Sequence, residues 1–167
     1  MKTTVLPLIF VVDDDEMYHN LVKTYLKKNH LSHIQTFSSG EECIANLDLN
    51  PKIILLDYEM GAMNGVKTLR MIKEKDPSIQ VIMLSGQDKL EVAVNAFRYG
   101  AYDYVVKNET AFKRIHQLVL RVLKVNNLMQ ENTTFRRKKN LLTGILSAVV
   151  VFTLYLSIEY YDLIEGR

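Results

Sequence analysis

The apolar positions of the chain fall into two kinds of run. Leu8 to Val12 (LIFVV), Ile53 to Leu56 (IILL), Val81 to Leu84 (VIML) and Tyr104 to Val106 (YVV) are short and continuous, the pattern of parallel strands buried on both faces. His33 to Phe37 is a weaker strand candidate between the first two. The stretches between them carry helix signals. Ser39 with Glu42, and Asp88 with Glu91, have the spacing of a capping box, in which two side chains satisfy free amides at a helix start. Pro77 closes the third helical stretch, and Leu21, Val22 and Leu26 predict the core-facing stripe of the first. The last helix is expected to begin near Thr110, with Ile115, Leu118, Val122, Val125 and Met129 stepping by three and four. Five strand-then-helix units predict an α/β fold with an open parallel sheet, doubly wound by helices on both faces.

A different pattern follows. Leu141 to Ile158 holds 18 residues without a charge, and a helix of that length spans roughly 27 Å, about the hydrocarbon thickness of a bilayer. Arg136, Arg137, Lys138 and Lys139 precede it, and Glu159, Tyr160, Tyr161 and Asp162 follow. Cations on the N-terminal flank predict a single-pass transmembrane helix at 141–158, on the cytoplasmic face of the inner (cell) membrane with the N-terminus inside. On this reading 1–128 is the globular domain, 129–140 a helical stalk with a basic juxtamembrane segment, and 159–167 a short tail. The alternative is a helix that docks on the domain or on a second copy. Gly144 and Ala148, four apart, offer the small-residue spacing that lets two helices approach, so a homodimer is possible on this surface. The last four residues, IEGR, match a protease-cleavage sequence of the kind placed before purification tags. At the other end, the apolar start runs directly into Asp13 to Glu16 with no small-residue cleavage site, so no secretory signal is expected.

Charge sharpens this division. Among 167 residues the formal net charge is +2. Residues 1–132 carry 16 basic and 16 acidic side chains, and 133–167 carry five and three. A neutral body with one short basic run is not a nucleic-acid-binding surface. With 35 residues after position 132, 18 of them in the uncharged run, no helix-turn-helix domain is expected in this stretch. A single cysteine, Cys43, excludes an internal disulfide and reads as a small apolar filler. His19, His30, His33 and His116 show no metal-ligand spacing and are expected at the surface or its boundary. No phosphate-cradling GxxxxGK[ST] or GxGxxG element occurs.

In open α/β sheets, chemistry gathers beyond the carboxyl ends of the strands. Those ends carry Asp13 and Asp14, Asp57, Ser85 and Lys107. Carboxylates crowded together repel, and one is driven toward protonation unless a cation sits among them. A hard divalent ion with oxygen ligands, Mg²⁺ above all, suits such a cluster.

With VVDDD (11–15), ILLDYEM (54–60), MLSG (83–86) and YVVK (104–107), the sequence over roughly residues 5–128 resembles the receiver domain of two-component response regulators. The resemblance implies a flavodoxin-like sheet of order 2-1-3-4-5. It also implies a phosphoryl group accepted on Asp57 from a histidine kinase or histidine phosphotransfer protein. Asp14, Asp57 and the backbone carbonyl of Glu59 would then hold Mg²⁺, with Asp13 holding the metal's waters. Lys107 and Ser85 would hold the transferred oxygens, and Ser85 and Tyr104 would form the switch. The protein would be a phosphoacceptor rather than an enzyme, acting through contacts with a downstream protein.

Two departures stand out. The family's proline after the lysine is replaced by Asn108, so a trans Lys107–Asn108 bond is expected. The loop after Asp57 reads MGAMNG, where Gly61 replaces a proline and Gly65 is expected to keep a turn role. The rival readings are a phosphorylation-independent scaffold and a phosphohydrolase. The complete acid, hydroxyl and lysine set disfavours the first, and Glu59 in place of a second aspartate disfavours the other.

Overall fold

The computed structural model describes residues 7–61, 63–86 and 90–165, with side chains described for these except 130–134, 155 and 158–165. In chain order the elements are β1 (Ile9–Val12), α1 (Glu16–Lys28), β2 (Ile34–Phe37), α2 (Gly40–Ala45), β3 (Ile53–Asp57), α3 (Gly65–Lys75), β4 (Gln80–Ser85), α4 (Leu90–Arg98), β5 (Asp103–Val106) and α5 (Ala111–Glu165). A short 3₁₀ turn at Leu47–Leu49 lies between α2 and β3. The five strands form one parallel sheet of order β2-β1-β3-β4-β5. This is the flavodoxin-like order expected above.

The continuous apolar runs are explained by the pleat, which sends alternate side chains to opposite faces. Phe10, Val12, Ile54, Leu56, Val81, Met83 and Tyr104 pack into one core with Cys43, Leu69, Ile72, Val92 and Ala96 of α2, α3 and α4. Ile9, Val11, Ile53, Leu55, Ile82, Leu84 and Val105 pack into a second core with Val22 and Leu26 of α1 and Ile115, Leu118, Val119 and Val122 of α5. With both faces covered, the central strands are apolar along their length, and the polar residues Gln80, Asp57 and Ser85 fall only at strand ends. β2 lies at the sheet edge and only Ile34 is fully buried in it, so its sequence signal is weaker.

The helix starts follow their capping chemistry. Glu42 N–H donates to Ser39 Oγ at 3.2 Å, and the Glu42 carboxylate accepts from Ser38 N–H at 3.0 Å, one residue before the amide a capping box would use. The second expected box includes Asp88, which lies outside the described residues. Asn64 caps α3 through Lys67 N–H at 2.9 Å.

Leu21, His19 and Gly65 depart from expectation. Leu21 is half exposed, and the buried face of α1 is His19, Val22 and Leu26, which step by three and four. His19 is therefore interior, with Nδ1 3.2 Å from the Asp13 carbonyl oxygen, which satisfies its polar edge. Gly65 holds no left-handed turn, since Gly100 has the only positive φ among the described glycines. Gly65 opens α3, where an added Cβ would strike the Asp57 carbonyl oxygen and lie 2.9 Å from both Met83 Cε and Tyr58 Cα. Its requirement is for space, not for a dihedral angle. No cis peptide bond occurs among the described residues.

The chain divides into two units, Met1–Leu123 and Lys124–Arg167. In the second, the described large apolar side chains from Leu141 to Leu154 are all exposed, at every angle around the helix. Among the described residues no helix is long and apolar enough to cross a membrane. The expected span at 141–158 includes Tyr155 and Ile158, whose side chains lie outside the described residues. Val125 and Met129, expected to continue the core stripe, are exposed, and the buried stripe ends at Val122.

Candidate functional site

Strand register builds the site. Val12 pairs with Leu56, so the next residues, Asp13 and Asp57, emerge side by side at the carboxyl ends of β1 and β3. Asp57 pairs with Leu84 and Ser85 with Val106, which brings Ser85 and then Lys107 to the same edge. The loop ends are tied by backbone bonds: Asp13 N–H donates to the Phe37 carbonyl at 3.1 Å and Lys107 N–H to the Ser85 carbonyl at 2.7 Å.

Asp13 and Asp57 are buried, and Asp14 is exposed. One carboxylate oxygen from each of the three lies within 4.8 Å of the other two. The Lys107 ammonium sits between the buried pair, 2.7 Å from Asp13 Oδ2 and 2.8 Å from Asp57 Oδ1. Beyond those ion pairs, neither oxygen receives a hydrogen bond among the described residues. Two buried carboxylates sharing one cation leave lone pairs open at the mouth of the cluster. The donor set, all oxygen with one exposed member, fits a hard divalent cation that keeps several waters.

The electrostatics follow from burial. Loss of solvent raises the Asp13 carboxyl despite Lys107. The same effect, reinforced by the charge of Asp13, pushes Asp57 up to about 6. Burial pulls Lys107 down, but its bonds to both carboxylates outweigh this and leave it raised. The lysine therefore stays charged while the carboxylates remain under-compensated.

The remaining expected residues lie around this pair. Glu59 is exposed in the loop after β3. Ser85 is fully buried at the end of β4, and Tyr104 is buried on β5 opposite Met83. By strand alternation Ser85 follows Met83 onto the face that holds Tyr104, two register steps apart. Cys43 is buried, and burial pushes its thiol up to about 12, which leaves it inert as expected.

Sequence reasoning missed Tyr18. Its ring centroid lies 4.5 Å from Lys107 Nζ, and its hydroxyl is buried without a hydrogen-bond partner among the described residues. Burial, with the charges of Asp13 and Asp57, pushes this phenol up to about 12. The available signal was an aromatic in the first turn of the helix that follows the acidic run.

The profile of the response regulator receiver domain matches residues 9–120. The chemotaxis protein CheY of Listeria monocytogenes is 32% identical over 100 residues, covering 59% of this chain and 84% of that one. The C4-dicarboxylate transport transcriptional regulatory protein DctD of Rhizobium meliloti is 30% identical over 132 residues. That match covers 78% of this chain and 28% of DctD. The chain spans less than a third of DctD and likewise 29% of a Bacillus licheniformis protein-glutamate methylesterase/protein-glutamine glutaminase. Among solved structures, the BeF3-activated receiver domain of DrrB superposes with a TM-score of 0.66 at 31% identity, covering 72% of this chain and 99% of that one.

Proposed function

This chain belongs to the response regulator receiver domain family, and from that premise we propose that it accepts a phosphoryl group on Asp57 and signals by protein contact. The observation that carries the proposal is the Asp13–Lys107–Asp57 arrangement, with Asp14 beside it at the same sheet edge. The donor is a phosphohistidine of a histidine kinase or phosphotransfer protein. A carboxylate oxygen of Asp57 forms the new O–P bond as the P–N bond to the donor imidazole breaks. The imidazole leaves with the bonding pair and takes up a proton.

With a carboxyl of about 6, Asp57 is mostly ionised at neutral pH and able to attack. Asp13, Asp14, Asp57 and the Glu59 carbonyl would hold Mg²⁺, whose charge offsets the repulsion between carboxylate and incoming phosphoryl oxygens. Lys107 then turns from its carboxylate partners toward the transferred oxygens, and the Ser85 hydroxyl approaches them from β4. Movement of Ser85 opens room on the face it shares with Tyr104. The α4 and β5 surface thereby responds to the covalent charge.

The second unit supports a membrane tether. Apolar side chains exposed around the whole helix from Leu141 to Leu154, next to four consecutive cations, suit a lipid environment with the basic end in the cytoplasm. A tether raises the concentration of the receiver near a membrane-bound kinase.

The test is labelling of the full chain from a small phosphodonor with Mg²⁺. Wild type is expected to take up label and Asp57→Asn none. Undiminished labelling of Asp57→Asn would overturn the assignment.

A further inference from the structure

We propose that Tyr18 is a positioning residue whose ring face fixes the Lys107 ammonium over the strand ends. The inference rests on the phosphoacceptor reading for its chemical consequence, though not for its geometry. A lysine reaches its site on a flexible four-carbon stem, and two carboxylates alone leave the ammonium free to slide between them. The Tyr18 ring supplies a third attraction, with Nζ 4.5 Å from its centroid and only 17% of the lysine side chain exposed. A cation over an aromatic face is bound more strongly where water is excluded.

The ring itself is backed by a row of aromatic rings. Phe112, in the first turn of α5, stacks on it at 5.7 Å, and Tyr25, about two turns further along α1, stacks on Phe112 at 5.6 Å. The backbone beneath it is tied to the acidic cluster. Asp15 accepts from Tyr18 N–H at 3.1 Å, while Asp15 N–H donates to Asp13 Oδ1 at 3.1 Å. The hydroxyl has no partner among the described residues, so the ring rather than the polar end accounts for the contact.

The experiment uses the full chain in detergent micelles, labelled with ¹³C at the lysine ε-carbons. The Lys107 signal is identified by its loss in Lys107→Arg. Its ε-protons are expected upfield from the ring current of Tyr18, unchanged in Tyr18→Phe and shifted back to the ordinary lysine position in Tyr18→Leu. With a small phosphodonor and Mg²⁺, Tyr18→Leu is expected to slow labelling by about 5- to 10-fold, and Tyr18→Phe to restore the rate to within about 2-fold. Mg²⁺ affinity should be alike in all three, because no carboxylate is altered. An unshifted Lys107 signal in wild type, or labelling of Tyr18→Leu as fast as wild type, would overturn the proposal. Tyr18→Phe as slow as Tyr18→Leu would do so as well. Absence of labelling in wild type would instead overturn the phosphoacceptor reading, with the ring-current shift still deciding the role of Tyr18.

Discussion

Lys107 and Asp57 form an ion pair at 2.8 Å across the end of the intervening strand β4, and the same ammonium also serves Asp13. One cation for two buried carboxylates leaves the folded protein with an unmet charge, and the first expectations follow from that.

A carboxyl raised to about 6 binds its proton more tightly in the folded chain than in the unfolded one, where its ordinary value is 3.8. Its contribution to stability is thus full below the unfolded value and is lost as pH rises through about 6. Asp57→Asn removes the ionisation at nearly constant volume. Without divalent metal it should raise stability by on the order of 2 kcal/mol at about pH 8 and by little at about pH 4. Urea unfolding at the two pH values measures this, and an equal gain at both would contradict it.

Divalent metal should relieve the same repulsion from the other direction. A cation that binds only the folded cluster stabilises by about 2.7 kcal/mol when its concentration is 100-fold above the dissociation constant. The unfolding midpoint should climb with Mg²⁺ in wild type and stay flat in Asp14→Asn. Asp14 is exposed, so its replacement should cost less than about 0.5 kcal/mol without metal. A Mg²⁺ response that survives Asp14→Asn would remove this residue from the ligand set.

Gly65→Ala tests how α3 approaches the site. The new methyl group meets backbone at the Asp57 carbonyl and at Tyr58, which cannot swing away as a side-chain tip can. A loss of about 2 kcal/mol is expected, beyond any gain in helix propensity, read as a lower urea midpoint at unchanged slope. A neutral or stabilising substitution would show that α3 can shift outward at no cost.

For the tether, full-length protein is expected to float with lipid vesicles and to stay with them in high salt, since burial of apolar surface is not screened. Val150→Asp places a charge in the middle of the apolar run, at a cost of about 3 kcal/mol in hydrocarbon. This variant should shift protein toward the aqueous fraction. Wild type released by salt alone would leave the basic run as its only lipid contact, contrary to a tether held by apolar burial.

Much of this was legible in the sequence because the buried strands left uninterrupted runs such as IILL and VIML, and the strand ends then carried the polar residues. The site was legible for the same reason: register alone sets Asp13 beside Asp57 and Ser85 beside Lys107. Less visible was the seam between α1 and α5. His19 is polar and is expected at the surface or its boundary, yet a carbonyl oxygen at 3.2 Å lets it enter the interior. Its apolarity assigns Leu21 to the core, but it lies one residue off the 19–22–26 face and remains half exposed. The contact of Tyr18 with Lys107 joins two residues far apart in the chain through a packing geometry that no local pattern encodes. The need for glycine at position 65 likewise depends on how closely α3 crosses the end of β3.

The central claim is that Asp57 carries the phosphoryl group, and it is tested most directly by finding the covalent bond. Full-length protein is incubated with a small phosphodonor and Mg²⁺, and any acyl phosphate is reduced with borohydride, which converts a phosphorylated aspartate to homoserine. Peptide mass spectrometry should then locate homoserine at position 57 and nowhere else. Homoserine at another aspartate, or none at any position, would contradict the account.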